Sequence, residues 1–369
     1  MPAKREDQGG YDYLILIPAI LLFCFGLVAI YSASSYLATR EAGDSYFYLK
    51  KQLFFGFLGI GLLIIAKNIP VHFYGKIVYP ALLVSLILLI AVFIPGIGSR
   101  VGGSTRWINI GLFRLQPSEL AKLSLAVYIA YSMSKKGPIM SSFTKGFLPH
   151  LIVVGSFMIL ILAQPDLGTT VIIGSWLMIL MFVGGMSVLQ LVFMAIVSCP
   201  VVYWLMFSQK YRANRWAAFM HPWSDPQGLG FQIIHSFLAF GSGGVMGVGL
   251  GNSKQKLLYL PEPHTDFILS IIGEELGLLG VLAVIALFSV LILRGIKVAL
   301  NAPDLYSSYL ALAISSLMGL QVIINMGVVM GLLPTKGLTL PFLSYGGSSL
   351  MVNLIGVGIL LSISARSRA

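Results

Sequence analysis

Residues 13–30 read YLILIPAILLFCFGLVAI, a run of 18 residues that contains no charged side chain. A run of this length can cross the hydrocarbon core of a bilayer as a helix. Two basic residues, Lys4 and Arg5, precede it, as they do in a secretory signal. The run exceeds the roughly 7–15 apolar residues of a signal peptide, so the sequence predicts an uncleaved first transmembrane helix.

The rest of the chain has the same apolar character. Of its 369 residues, 57% are hydrophobic and only 10% are charged, and the mean hydropathy is +0.90. A soluble globular protein carries about 25% charged residues. A water-soluble fold of this size could not hide so much apolar surface, so lipid must be the solvent for most of the chain. The composition therefore excludes a soluble enzyme or binding module.

Apolar runs separated by short polar loops divide the chain into about ten transmembrane helices. The predicted spans are 13–35, 53–69, 77–95, 115–133, 147–164, 169–185, 188–207, 267–294, 306–330 and 346–364. The predicted fold is an all-α polytopic membrane protein, a single membrane domain over residues 1–369. Its seventh and eighth helices are joined by a long extracytoplasmic loop, 208–266. This loop is too rich in glycine and too short to bury a core of its own, so it must pack on the membrane part.

The formal net charge is +11, and the basic residues lie in the loops. An even number of crossings puts both termini on one side. Lys and Arg in the short loops 67–76, 134–146 and 294–305 favour the cytoplasm for that side. About as many basic residues lie on the other face, many of them in the long loop, where the rule weakens. We expect these external cations to meet anionic lipid or a lipid-linked anionic substrate, and we expect no nucleic-acid partner.

The densest polar stretch at a membrane boundary is PEPHTDF, residues 261–267, directly before a long apolar run. Its two prolines stiffen the backbone. The stretch supplies Glu262, His264 and Asp266, and Glu274 and Glu275 follow within three helical turns. A carboxylate at a lipid–water boundary, backed by polar groups, can act as a general base. Asp266 is therefore the candidate catalytic residue, and Glu262 and His264 are candidate substrate-binding residues.

The same stretch has a purely structural interpretation. Thr265 or Asp266 could be the N-cap of the following helix, where a carboxylate also suits the helix dipole. Asp166, in QPDLG at residues 164–168, is expected to cap the next helix in this way.

Two opposite charges lie inside the fourth span. Glu119 and Lys122 are three residues apart, so they share a helix face and can pair. Ions within a membrane are unfavourable unless they are paired and turned toward protein or a water-filled cavity. The pair could fix helix packing, or it could line the substrate cavity.

The loop before the last span, 331–348, combines prolines and glycines with many apolar residues. A regular helix is excluded, and a free solvent loop would be more polar, so we expect it to dip back into the membrane. It contributes Lys336 and Ser344 as candidate substrate-binding residues. Further candidate cations are Arg106, beside Trp107, and the pair Arg212 and Arg215 in the long loop. Arg106 could instead be an interfacial anchor.

Several long motifs, in a fixed order over nearly the whole chain, resemble the SEDS family of bacterial cell-wall synthesis proteins. The motifs are Arg106-Trp107-Ile108, Gln116-Pro117-Ser118-Glu119, Gln164-Pro165-Asp166-Leu167-Gly168, Pro261 to Asp266, Gly273-Glu274-Glu275-Leu276-Gly277, and Pro334 to Ser349. Within the family, Leu333 to Pro341 and Gly249 to Lys256 are most similar to the cell-division branch. The elongation branch usually lacks the Thr335-Lys336 pair, and a sporulation branch is an alternative.

The resemblance implies a peptidoglycan glycosyltransferase that polymerises lipid II into β-1,4 glycan strands and releases undecaprenyl pyrophosphate. It places the family's essential aspartate on Asp266, Glu119 and Lys122 in the cavity, and Lys336 near the site. The expected location is the bacterial cytoplasmic (inner) membrane at the division septum, with both termini cytoplasmic. The expected partners are a class B penicillin-binding protein, which is a transpeptidase, and regulatory membrane proteins of the divisome.

The residues suggest a mechanism for that reaction. Asp266 would take the proton of the attacking sugar hydroxyl, and Arg106, Lys336, Arg212 and Arg215 would stabilise the diphosphate. A divalent cation, Mg²⁺ or Mn²⁺, is an open alternative for Asp266 or Glu262 to hold, although the sequence shows no dedicated set of ligands. The competing interpretations are a lipid II flippase and a division scaffold without chemistry.

Overall fold

The computed structural model describes residues 10–101, 104–111, 113–257 and 260–367. Within these ranges the chain forms thirteen α-helices and one three-stranded sheet. The helices are α1 Tyr13–Ala42, α2 Phe47–Asn68, α3 Val71–Lys76, α4 Val78–Ala91, α5 Pro117–Lys136, α6 Leu148–Ala163, α7 Leu167–Val183, α8 Val188–Phe207, α9 Lys210–Met220, α10 Phe231–Gly243, α11 Ile268–Leu300, α12 Leu305–Val329 and α13 Gly347–Ser367.

The predicted all-helical, polytopic membrane fold is confirmed. Among the described residues, seven helical stretches are long and apolar enough to cross a membrane: α1, α2, Phe143–Ala163 with α6, α8, α11, α12 and α13. The shorter apolar helices α4 and α7 occupy two more of the predicted spans. The charged helix α5 occupies the last one. Each predicted span therefore coincides with a helix.

Several helices extend beyond their predicted spans, and α1 and α11 are two clear cases. α1 continues past residue 35 to Ala42, and α11 continues past residue 294 to Leu300. Hydropathy marks only the part of a helix that lies in lipid, whereas backbone hydrogen bonding continues into the polar region. α1 stops at Gly43, which takes the left-handed conformation (φ 69°) that commonly ends helices.

The structure forms a small sheet where the sequence predicted only a loop between the third and fourth spans. β1 Gly98–Val101, β2 Ser104–Ile110 and β3 Phe113–Leu115 pair antiparallel in that order. Ile108 in β2 is buried against the helices. β3 leads directly into α5, and the Gln116 N–H at this junction donates to the Ser348 hydroxyl at the start of α13 (3.0 Å). The sheet thus anchors the outer end of α5 to α13.

The helix that follows Asp266 is broken one third of the way along. Gly277 in α11 has φ 65° and ψ −161°, which interrupts the helical hydrogen bonds. The segment 244–249 replaces them. Its N–H groups donate to the carbonyls of Glu274 and Glu275 at 3.0 Å each, and its carbonyl at residue 244 accepts from the Leu278 N–H at 2.9 Å. A broken helix at this depth is tolerated because protein, not lipid, satisfies the freed groups.

The long loop 208–266 is therefore not a simple extracytoplasmic connection. It contains α9 and α10, and α10 packs along the first part of α11. α10 buries one face, including Ile233, Ile234 and Ala239. The helix and the segment after it follow α11 as far as its break.

The loop 331–346, between α12 and α13, enters the bundle. A Cβ atom placed on Gly26 would lie 2.5 Å from the Phe342 carbonyl oxygen, and Gly26 lies near the middle of α1. Only a residue without a side chain lets the loop backbone approach this closely. Phe342 itself has φ 63°, a conformation that an aromatic residue rarely adopts. The observed path agrees with the predicted re-entry of this loop.

Candidate active site

The side chain of Asp266 is not a helix cap. α11 begins at Ile268, and its N-cap position is held by Phe267, whose side chain cannot accept a hydrogen bond. The capping hypothesis for Thr265 and Asp266 is therefore wrong, and the carboxylate is available for another role. For Asp166 the same hypothesis is confirmed, because its side chain accepts from the Thr169 N–H at the start of α7 (3.1 Å).

The turn that carries Asp266 is strained. Glu262 has φ 51°, and prolines flank it on both sides. A non-glycine residue in the left-handed region is maintained only where the surrounding structure enforces it. Here the enforcing contacts come from the re-entrant loop, since the Tyr345 N–H donates to the His264 carbonyl (2.9 Å).

The Ser344 hydroxyl adds one further bond between the Asp266 turn and the re-entrant loop and one bond within the loop. It donates to the Thr265 carbonyl (2.5 Å) and accepts from the Leu340 N–H (2.8 Å). Ser344 is only 4% exposed. Its hydroxyl is thus used within the protein, which places Ser344 in the frame of the site and not on its surface.

Two buried amides that the sequence analysis did not single out complete this frame. On α2, Gln52 donates to the Ser344 carbonyl and accepts from the Gly346 N–H, both at 3.3 Å. On α12, Asn325 donates from its Nδ2 to the carbonyls of Asp266 (3.3 Å) and Leu338 (2.6 Å). The one available signal was a polar amide inside an apolar span, which is rare in membranes.

The electrostatic environment makes Asp266 a stronger base than an ordinary aspartate. The pKa of Asp266 is raised from 3.8 to about 7, chiefly by burial and in part by the nearby Glu262 carboxylate. Arg215 and Arg106 oppose the rise, and Asp166 adds slightly to it. The residue as a whole is partly exposed. A base with a pKa near the working pH is efficient in proton transfer.

Of the predicted cations, Arg215 lies close enough to Asp266 to lower its pKa. It extends from α9, with its guanidinium 4.5 Å from the centre of the Tyr211 ring. One nitrogen donates to the Thr335 carbonyl at 3.1 Å. This bond joins α9 to the re-entrant loop.

Arg106 also lowers the pKa of Asp266, but much of its hydrogen-bonding capacity is used in the turn between α6 and α7. Its Nε donates to the Gln164 carbonyl (3.3 Å), and its guanidinium lies 3.8 Å from the Asp166 carboxylate. Arg106 therefore contributes positive charge from a fixed position.

Lys336 and Arg212 differ in their relation to this region. Burial lowers the pKa of Lys336, and the Asp166 carboxylate partly opposes that decrease. Lys336 is thus close to the Arg106–Asp166 pair. Arg212 donates to the Leu205 carbonyl at the end of α8 (2.9 Å). It is thereby held at the α8–α9 junction, while Arg215 on the same helix bonds to the re-entrant loop.

His264 lies beneath the surface and is held between aromatic rings. Its ring centre is 4.4 Å from that of Tyr48 and 5.6 Å from that of Tyr345. Burial lowers its pKa to about 4, so it is neutral at pH 7. Its Nε2 is 4.0 Å from Glu262, too far for a hydrogen bond, and its Nδ1 has no partner among the residues that the structure describes.

Glu119 and Lys122 form the predicted ion pair, with 2.8 Å between the carboxylate and the ammonium. Both are at least nine-tenths buried. They line a small cavity of about 30 Å³ between α5, α12 and α13, which has room for roughly one water molecule. The groups that shift the pKa of Asp266 are Glu262, Arg215, Arg106 and Asp166, and this ion pair is not one of them.

Glu274 and Glu275 do not join the Asp266 cluster as the sequence suggested. Glu275 pairs with Lys256 (3.0 Å) and accepts from the Ser32 hydroxyl on α1, which lies 2.6 and 2.8 Å from its two carboxylate oxygens. Glu274 accepts bonds from the segment 253–255. These carboxylates hold the end of the long loop against α11 and α1.

A metal site built by the protein is not observed. Within the described ranges, no three His, Cys, Asp or Glu side chains come together as possible ligands. The two carboxylates that the sequence offered to a divalent cation, Asp266 and Glu262, are fewer than the six oxygen ligands that Mg²⁺ requires.

The family model described as "Cell cycle protein" (FTSW_RODA_SPOVE) matches residues 12–369. The chain belongs to this family. Similar members include a "Probable peptidoglycan glycosyltransferase FtsW" of Geobacter metallireducens, 47% identical over 97% of this chain and 96% of that protein. "Stage V sporulation protein E" of Bacillus subtilis is 44% identical over 97% of this chain and 98% of that protein. Relatives of both kinds therefore align over nearly the whole fold.

Solved structures support the family assignment. The rod shape determining protein RodA of Thermus thermophilus superimposes with a TM-score of 0.71, at 26% identity over 96% of each chain. A chain from a structure described as "Structural coordination of polymerization and crosslinking by a peptidoglycan synthase complex" gives 0.79, at 29% identity, over 97% of this chain and 98% of that one.

Proposed function

We propose that this chain is a peptidoglycan glycosyltransferase that polymerises lipid II at the outer face of the cytoplasmic membrane. The observation that carries the proposal is that the Asp266 carboxylate does not cap α11 and has a pKa raised to about 7. Arg215 and Arg106 are close enough to act on it electrostatically. A base beside fixed cations is the arrangement needed to activate a hydroxyl against a diphosphate-linked sugar.

In this mechanism the ionised Asp266 accepts the proton of the 4-hydroxyl of an acceptor GlcNAc. The hydroxyl oxygen forms a bond to the anomeric carbon of a donor MurNAc as that carbon's bond to the diphosphate oxygen breaks. The α-linked donor becomes a β-1,4 linkage, and undecaprenyl pyrophosphate leaves with the electron pair. One inversion needs one base and no covalent enzyme intermediate.

The leaving diphosphate needs positive charge as it departs. Arg215, which is only partly exposed and anchored through Thr335, is placed to supply it. Arg106 and Lys336 add charge from the Asp166 side. A divalent cation at Asp266 and Glu262 would take most of its ligands from the diphosphate and from water.

The remaining cellular assignments follow from the family and the charge pattern. The chain acts as a multi-pass protein of the inner membrane at the division septum, with both termini in the cytoplasm. Its partners are a class B penicillin-binding protein and regulatory divisome membrane proteins. The similar chain in a peptidoglycan synthase complex that couples polymerization and crosslinking supports the first of these.

The test uses the purified full-length chain with lipid II, and labelled glycan strands are measured on gels. We expect Asp266→Asn to lower the rate by about 10²–10⁴-fold, the contribution of a positioned base. The matched control is Asp225→Asn, in the same long loop, where the exposed side chain accepts only from the Leu229 N–H. It should change the rate less than twofold.

Asp266→Asn should remain folded, because the amide cannot carry the charge that burial disfavours. Its unfolding temperature at pH 8 should be no lower than that of the unchanged chain. A folded Asp266→Asn protein that polymerises at the original rate would refute the assignment of Asp266 as the base. An unchanged chain that produces no glycan strands would refute the glycosyltransferase function and favour a scaffold. Transport of labelled lipid II across liposomes without polymerisation would instead favour a flippase.

A further inference from the structure

Asn325 connects the two segments of the site that have no regular structure. It lies on α12, one turn before the helix ends at Val329, and only 1% of it is exposed. The two hydrogens of its Nδ2 are used separately, one on the Asp266 carbonyl and one on the Leu338 carbonyl. A single side chain thereby ties the residue that carries the base to the loop that carries Lys336.

The other half of the amide supports a specific role for this residue. Asn325 Oδ1 is buried and has no hydrogen-bond partner within the part of the chain that is described. An unpaired buried acceptor is unfavourable for stability and calls for an explanation. The explanation is that the bridge between the two carbonyls uses only the Nδ2 hydrogens, so the Oδ1 atom is left over. Residues that reduce stability in this way are typical of functional sites.

The helix that carries Asn325, α12, is held on several sides by other helices. α12 packs against α5, α7, α11 and α13 and is one of the most buried helices of the bundle. The same loop that Asn325 holds at Leu338 also holds Arg215, through the Thr335 carbonyl. Asn325 on α12 therefore links the Asp266 turn to the loop that also holds this arginine.

We propose that Asn325 is a positioning residue, which fixes Asp266 relative to Arg215 and Lys336 by bridging their two loops. This inference rests on the proposed glycosyltransferase function, in which Asp266 is the base. Asn325 itself does not touch the substrate. A displacement of about 1 Å between reacting groups can reduce a rate by roughly 10²-fold, so the bridge has a direct effect on turnover.

The experiment compares Asn325→Leu with Ser362→Ala in the full-length chain. Leucine has nearly the shape of asparagine but cannot donate. Ser362 lies toward the C-terminal end of α13, away from the re-entrant loop that precedes this helix. It donates to the Ile69 carbonyl (2.8 Å) and so makes a helix-to-loop bond of the same kind, away from the site. Each substitution leaves carbonyls without a partner, and Asn325→Leu also removes the unpaired Oδ1. The two variants should therefore have similar unfolding temperatures.

We expect Asn325→Leu to lower kcat for lipid II polymerisation by about 10–100-fold, with KM changed less than threefold, and Ser362→Ala to leave both unchanged. The acid limb of the pH–rate profile should also move to higher pH. Glu262, Arg106, Asp166 and Arg215 act on Asp266, and of these Arg215 is released together with the loop. A purely structural residue would not move this limb.

Two outcomes would overturn the inference: kcat within twofold of the original for Asn325→Leu, or an equal loss of kcat for Ser362→Ala. Asp266→Asn measured in the same preparation separates this result from the function itself. If Asp266→Asn is inactive while Asn325→Leu is fully active, the positioning role is wrong and the glycosyltransferase assignment stands. If Asp266→Asn is active, the assignment of the base fails first.

Discussion

The raised pKa of Asp266 makes a prediction about how the polymerisation rate depends on pH. The base must be ionised to accept a proton, and its pKa lies at about 7. The rate should therefore rise with pH and reach half of its maximum near pH 7. Two neighbouring charges set this value from opposite sides, because Glu262 raises the pKa and Arg215 lowers it. Removing each charge should move the acid limb in opposite directions.

The expected shifts can be estimated from the surroundings of the two groups. The Glu262 side chain is 66% exposed, so water screens its effect strongly. Two unit charges 4 Å apart in water interact by about 1 kcal/mol, and a pKa unit corresponds to about 1.4 kcal/mol. We therefore expect Glu262→Gln to lower the midpoint by about half a unit and Arg215→Gln to raise it by a similar amount.

Initial rates with lipid II, measured from about pH 5 to pH 9, give kcat/KM profiles that report the free enzyme. Raising the salt concentration should reduce the effect of the exposed Glu262. Asp225→Asn serves as the control and should leave the midpoint unchanged. The reasoning is refuted if the original chain titrates below about pH 5, where ordinary aspartates do. It is also refuted if both substitutions move the midpoint in the same direction.

Two further predictions concern the packing around the site. A Cβ atom on the exposed Gly337 would lie 3.2 Å from Asp266 Oδ2. Because this approach would displace the carboxylate, Gly337→Ala should lower kcat about tenfold without lowering the unfolding temperature. An unchanged kcat would show that the carboxylate has room to move. Lys256→Met leaves Glu275 buried without its partner and should destabilise the fold by about 3–5 kcal/mol, while adding Glu275→Leu should recover most of that loss. The polymerisation assay measures kcat, and thermal unfolding in detergent measures stability. If the destabilisation of the double variant is the sum of those of the two single variants, the second prediction is wrong.

The spans could be predicted from the sequence because lipid imposes one strict requirement, that backbone groups be satisfied within the segment. Even α5 was recognisable, although it contains Glu119 and Lys122, because residues 123–133 between its charged ends carry no charge. The sheet at 98–115 and the break at Gly277 were not predicted. The sheet consists of three short neighbouring strands, whose apolar pattern is too brief to identify them. The break depends on hydrogen bonds to the segment 244–249, and a sequence pattern does not show which segment will supply such bonds.

The residues of the site likewise divide into those that the sequence identifies and those that it does not. Asp266 and Arg215 belong to a dense polar stretch and a basic loop, so their chemistry is visible in the sequence. Gln52 and Asn325 are single amides in apolar helices, and nothing nearby indicates which carbonyls they bind. Arg212 shows the opposite problem, since it was expected beside Arg215 but donates to the end of α8. Neighbours on a helix can point to different partners, which only the tertiary packing decides.

The irregular backbone of this site explains why its supporting residues lie inside the membrane helices. A carboxylate and several cations can be gathered at one point only if the chain turns sharply, as it does at Glu262 and Phe342, both in the left-handed region. Such turns leave carbonyl and N–H groups unpaired, and at the boundary of a bilayer water cannot be relied on to satisfy them. Buried amides on rigid spans satisfy these groups from below and keep the outer surface free for a substrate. A mutation in the interior of α2 or α12 can therefore change catalysis at the outer face without altering any residue that touches the sugar.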